Sequence, residues 1–118
     1  MQYILFIYSS EAEYNKRSAE ENNAFSREYM QFTKEIQASG NFRAGDRLEP
    51  VTTATTVRVR DGKILKSDGP FAETREQLGG YYIVEAENLD QAVAMAAKLP
   101  GARIGSIEVR PIMKMPTA

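Results

Sequence analysis

Residues 67–82 read Ser-Asp-Gly-Pro-Phe-Ala-Glu-Thr-Arg-Glu-Gln-Leu-Gly-Gly-Tyr-Tyr. How this stretch is read decides the fold, because strand-like runs stand on either side of it. Three glycines, a proline and four charged side chains lie within it. A plain connector needs only about two to five residues, whereas about a dozen separate Asp68 from Gly80. Loops of that length inside a compact domain are functional or disordered, and an aromatic set among these polar groups argues against disorder. The stretch therefore reads as a long ordered loop that marks a site.

Working outward, Thr55-Thr56-Val57-Arg58-Val59-Arg60 alternates with period two. Asp61-Gly62 is a type I′ turn dipeptide, and Lys63-Ile64-Leu65-Lys66 returns as the second strand of a hairpin. Beyond the loop, residues 81–86 form another strand, with Tyr81 and Tyr82 on opposite faces. Gly79-Gly80 reads as a bulge at its start. Asn88 caps a helix over residues 89–99 that Pro100-Gly101 stops, and residues 107–112 supply the last strand.

Toward the N-terminus, Phe42 to Leu48 is a shorter strand. Ser18 with Glu21 forms a capping box that opens a helix closed by Gly40. Phe25, Tyr29, Phe32 and Ile36 share one face of it. The run Tyr3-Ile4-Leu5-Phe6-Ile7-Tyr8 is apolar throughout, as in a central strand covered on both faces.

The order is strand, helix, strand, hairpin, loop, strand, helix, strand. Removal of the hairpin leaves βαββαβ, the ferredoxin-like α+β pattern. Two helices cover only one face of such a sheet, and the apolar first strand calls for burial of the other. A homodimer with sheets packed face to face is the expectation.

With 118 residues, the chain is long enough for one domain with one core and too short for two. A net charge of −1 supplies no field that favours nucleic acid or an anionic membrane. The basic hairpin residues Arg58, Arg60, Lys63 and Lys66 are read as edge protection, without the aromatic signature of RNA binding. The run at Tyr3–Tyr8 is too short to span a membrane and unlike a secretory signal, so a cytoplasmic location is expected. Two absences narrow the chemistry further. Without cysteine there is no thiolate nucleophile or thiolate metal site. Without histidine there is no imidazole base, no Ser-His-Asp triad and no histidine-ligated haem, zinc or iron. No metal and no cofactor is expected. Carboxylates, phenols, Lys, Arg, hydroxyls and backbone amides remain.

Asp68-Gly69-Pro70-Phe71-Ala72-Glu73-Thr74-Arg75-Glu76-Gln77-Leu78-Gly79-Gly80-Tyr81-Tyr82 resembles the hallmark of the DGPF group of the YCII-related domain family. Tyr3–Tyr8, Ala54-Thr55-Thr56-Val57-Arg58 and Val109-Arg110-Pro111 are similar to its supporting pieces. The resemblance spans nearly the whole chain. It implies a dimeric α+β barrel of ferredoxin-like subunits and an enzymatic role suggested from a His–Asp pair. It also implies a link to sigma-factor-dependent transcription. The place where many relatives carry that histidine is Tyr29 here, so the chain departs from the pattern.

Asp68 is the leading catalytic candidate, as a general base facing a cleft, or else it shapes its own turn. Tyr29 is the second, a phenol that donates to an oxyanion or packs as a core residue. Tyr8, Tyr82, Gly69, Pro70, Phe71, Glu73 and Arg75 are candidate ligand contacts, with Arg47 as a clamp for a carboxylate. Phe71 is also read as the anchor of the loop in the core, and Glu76 as part of a solvated face. Two functions follow from these groups: cofactor-independent proton transfer or oxygenation of a small molecule, or ligand binding by a non-catalytic, regulatory homodimer.

Overall fold

A computed structural model describes residues 1–116. The elements are β1 (Gln2–Ser9), α1 (Glu11–Lys16), α2 (Ala19–Ala38), β2 (Phe42–Arg47), β3 (Thr55–Arg60), β4 (Lys63–Asp68), β5 (Gln77–Glu85), α3 (Leu89–Ala97), α4 (Gly101–Ile104) and β6 (Ser106–Pro111). It is an α+β structure with two antiparallel sheets. Four strands run in the order β2-β5-β1-β6, and β3 pairs only with β4.

The expected capping box is present at Ser18, whose hydroxyl accepts the Glu21 amide while the Glu21 carboxylate reaches back. Below it, α2 buries Phe32 and Ile36, and α3 buries Ala92, Met95 and Ala96. They meet Tyr3, Leu5 and Ile7 of β1 with Tyr82 and Val84 of β5. Each such large side chain stabilises the fold by about 1.5–3 kcal/mol on burial. Both long helices thus lie on one face of the sheet. The alternate residues of β1 and β5, among them Ile4, Phe6, Tyr81 and Ile83, remain half-exposed on the other. One chain therefore covers β1 on one side only, and its second apolar face stays open.

The hairpin forms as the turn dipeptide requires: Asp61 and Gly62 have φ of 53° and 74°, both left-handed, as a type I′ turn demands. It stands apart from the larger sheet as an arm. The molecule measures 49 × 48 × 18 Å with a radius of gyration of 16.4 Å. A compact chain of this length would have about 13.5 Å.

Four expectations need correction. The loop after the arm is shorter than read, since β4 continues to Asp68 and β5 starts at Gln77, leaving residues 69–76 as connector. The glycine pair misled here, because Gly79 and Gly80 lie inside the strand. Register passes from Ile7–Gly80 to Tyr8–Leu78, so Gly79 is the extra residue of a bulge. Phe71 does not anchor the loop, being 81% exposed. The polar stretch after β1 holds α1, capped by Ser10. Pro100-Gly101 ends α3 but opens the short α4.

Candidate functional site

The end of β1, the start of β5 and the start of β6 come together at one edge of the domain. Tyr8 is opposite Ser106 on β6 and Leu78 on β5. Just past Tyr8, the Ser10 hydroxyl accepts the Glu13 amide at 3.1 Å and turns the chain into α1. The residues before β5 close the remaining side. A groove results, lined by Tyr8, Ser10, Glu13, Thr74, Arg75, Glu76, Ile104 and Ser106.

Its walls are tied by polar contacts rather than by core packing. The Ser106 hydroxyl donates to Glu76 Oε1 at 2.8 Å, joining β6 to the connector. The Thr74 hydroxyl donates to the Glu76 carbonyl, and Gln77 Nε2 to the Thr74 carbonyl at 2.6 Å. Gln77 Oε1 accepts the Glu11 amide at 2.9 Å, which fixes the start of α1. Glu11 in turn accepts the Val51 amide at 3.1 Å. Glu76, read from sequence as solvated, is half-buried by these contacts.

The charges in the groove are unequally satisfied. Glu13 lies 3.5 Å from Lys16 in an exposed pair of small energetic weight. Arg75 makes no ion pair or hydrogen bond among the described residues. The groove thus offers one free guanidinium, two carboxylates, a phenol and two serine hydroxyls. Among the described residues, no three carboxylates converge as a metal site would require.

The sequence candidates scatter. Tyr8 and Arg75 line the groove, but Asp68 does not. Asp68 is exposed at the end of β4 and its carboxylate makes no hydrogen bond among the described residues. The turn beside it is held by backbone instead: Gly69, at φ 92°, donates its amide to the Ala54 carbonyl at 2.7 Å. The Thr56 hydroxyl donates to the Gly69 carbonyl at 2.8 Å. Pro70, Phe71 and Glu73 are exposed on the same connector. The part of the motif that reaches the groove is Thr74-Arg75-Glu76.

Tyr29 and Tyr82 belong to the covered side of the sheet. Tyr82 is buried between Phe32 and Phe42, with ring centroids at 5.2 and 6.4 Å, and its hydroxyl is 2.6 Å from that of Thr33. The Tyr29 hydroxyl sits over Gly101, where an added Cβ would come within 2.6 Å of it. Burial pushes the Tyr29 phenol above its ordinary pKa, and the Gly101 amide opposes this only in part. A phenol so placed stays protonated at neutral pH and is no base. Arg47 reaches Tyr14, stacking over its ring at 5.8 Å. The groove residues missed in sequence were Ser10, Glu13, Thr74, Glu76, Ile104 and Ser106. The Ser-x-x-Glu spacing of Ser10 and Glu13 was a legible helix-start signal.

The fold and groove define a small α+β protein with a cleft of mixed polar and apolar lining at the strand ends of its larger sheet, and neither histidine nor thiol in it. The chain belongs to the YCII-related domain family, whose sequence model matches residues 1–116. It is similar to an uncharacterised protein of Rhizobium meliloti (strain 1021), with 36% identity over 114 residues, which covers 95% of this chain and 92% of that protein. No helix among the described residues is long and apolar enough to cross a membrane.

Proposed function

We infer that the chain works as a homodimer that binds a small polar molecule in the groove at Tyr8, Arg75, Glu76 and Ser106. Arg75 carries this reading. Its guanidinium has no partner among the described residues and lines a groove that also holds Ile104, hydroxyls, a phenol and two carboxylates. A planar guanidinium takes a carboxylate or phosphate through two parallel hydrogen bonds, so the ligand is expected to carry an anionic group. The Asp68–Phe71 signature supports membership of the DGPF group.

The strand order β2-β5-β1-β6, with the long helices on one face, supports a ferredoxin-like subunit. The half-exposed Ile4, Phe6 and Ile83 support a dimeric α+β barrel, in which a second copy covers the open sheet face. The link to sigma-factor-dependent transcription rests on the family resemblance and stands apart from this geometry.

A melting-temperature screen with benzoate, inorganic phosphate and phenol tests the binding. One of the two anions is expected to raise the midpoint of the wild type and not that of Arg75→Gln, with equal midpoints for the two unliganded proteins. An equal response of both proteins removes Arg75 from the site and overturns the reading.

A second reading, cofactor-independent proton transfer or oxygenation, is favoured by the carboxylates of Glu13 and Glu76 standing in one groove with the Tyr8 phenol. On this reading Glu76→Gln keeps anion binding and loses turnover. Asp68 lies outside the groove within one chain, which shifts the acid–base candidates to Glu13 and Glu76.

A further inference from the structure

We propose that the β3–β4 arm is a clasp exchanged between subunits, laid on the open sheet face of a second copy on its β2–β5 side. The proposal rests on the homodimer inferred above and adds the means by which it is held.

The arm is apolar where it has nothing to touch. Period-two alternation with Val59 opposite Ile64 and Val57 opposite Lys66 puts these four side chains on one face. Val57 and Val59 are each 59% exposed and Ile64 is 74% exposed. The arm shares no strand pairing with the larger sheet. A lone two-stranded hairpin is marginal in water at best, and burial of such a face is what stabilises it. The flat outline and large radius of gyration place the arm clear of its own domain's core.

The receiving surface is on the same chain's open face. Ala44 is opposite Ile83 and Asp46 opposite Tyr81, so these four residues form a patch across β2 and β5. It is an apolar strip with a carboxylate in it. Asp46 accepts the Tyr81 hydroxyl at 2.7 Å but has no ion pair among the described residues. Signs of charge match as well. On the arm the match is confined to one residue, because Arg58, Arg60 and Lys63 fall on its other face and only Lys66 shares the face of Val57, Val59 and Ile64. Lys66, on the apolar face of the arm, is suited to Asp46. A second copy brings both halves of this complement at once, and two-fold symmetry uses each twice.

The absence of native cysteine makes the test clean. Val59→Cys chains are mixed with Ala44→Cys chains, oxidised and run on a non-reducing gel. A disulfide between the two kinds of chain is expected, with the cross-linked peptide identified by mass spectrometry. A dimeric wild type that gives no mixed cross-link, or only Val59→Cys chains linked to each other, overturns the placement of the arm while leaving the dimer. Sedimentation of the double variant Val57→Asp, Ile64→Asp supplies a second measurement. At least tenfold weaker self-association with an unchanged far-ultraviolet circular dichroism spectrum is expected, and unchanged association overturns the clasp. A wild type that sediments as a monomer at every concentration overturns the clasp and the dimer together.

Discussion

The two faces of β1 are equally apolar and differently treated. Tyr3, Leu5 and Ile7 are sealed under α2 and α3, whereas Ile4, Phe6 and Tyr8 on the other face are left half-exposed. A strand with one solvated face would alternate apolar with polar residues. Here the chemistry of burial is written on both sides, and a single chain supplies a cover for one. The difference teaches that the sealed face carries the stability of one chain, and that the open face is where the proposed homodimer would place its second copy.

Leu5→Ala breaks the sealed face at its fully buried centre and is expected to cost about 2–5 kcal/mol in chemical denaturation. That loss is independent of protein concentration. Phe6→Ala on the open face is the matching probe. On the proposed homodimer its loss is expected to grow with protein concentration, because a group at a subunit contact acts through association. Equal and concentration-independent losses at the two positions would erase the distinction between the faces.

Gly101→Ala strikes the sealed side from beneath. Its Cβ would lie 2.6 Å from the Tyr29 hydroxyl and 3.1 Å from Ile7. Overpacking of this kind costs about 1–3 kcal/mol. Tyr29→Phe removes the oxygen in the way, so the double variant is expected to lose less than the two single losses combined. Ser18→Ala removes the cap of the helix that does the sealing and is expected to cost about 1 kcal/mol, read from thermal melts.

Smallest is the alkaline response, which sharpens the comparison through cause rather than size. Tyr29 on the sealed side and Tyr81 on the open side both titrate above the ordinary 10.0, the first chiefly through burial, the second chiefly through its hydrogen bond to Asp46. A raised folded-state pKa gives a stability contribution that is present below pH 10.0 and lost as pH rises through the folded value. Asp46→Asn is expected to bring Tyr81 back toward the ordinary value and leave Tyr29 displaced, in a phenolate absorbance titration.

Much of the fold was legible because local chemistry set it. Ser18 with Glu21, the Asp61-Gly62 turn and the Asn88 cap each act within a few residues of themselves, and the elements they bound were read in order. The strand β5 was misread at its start because Gly79-Gly80 resembles a loop. What makes it strand is the bulge against Ile7 and Tyr8, a contact with distant sequence. The site was less legible for the same reason. The motif was visible, but nothing local distinguishes its exposed half, Asp68 to Glu73, from the half that meets Ser10 and Ser106. Glu76 looked solvated until the pairing of β1 with β6 brought the Ser106 hydroxyl to it. Phe71 looked like an anchor because aromatic side chains usually are, and its exposure leaves that role empty.

The central position of β1 has a kinetic consequence. Tyr3 pairs with Val84 on one side and with Pro111 on the other, so both neighbours of the first strand come from the far half of the chain. The arm closes across a two-residue turn and needs no distant partner, but β1 must wait until β5 and β6 exist. Pairings of such separation delay folding, because loop closure is paid before the contacts reward it. During synthesis the most apolar strand leaves the ribosome first and finds its register last. The domain is therefore expected to fold late and all at once, with both faces of β1 exposed in the interval.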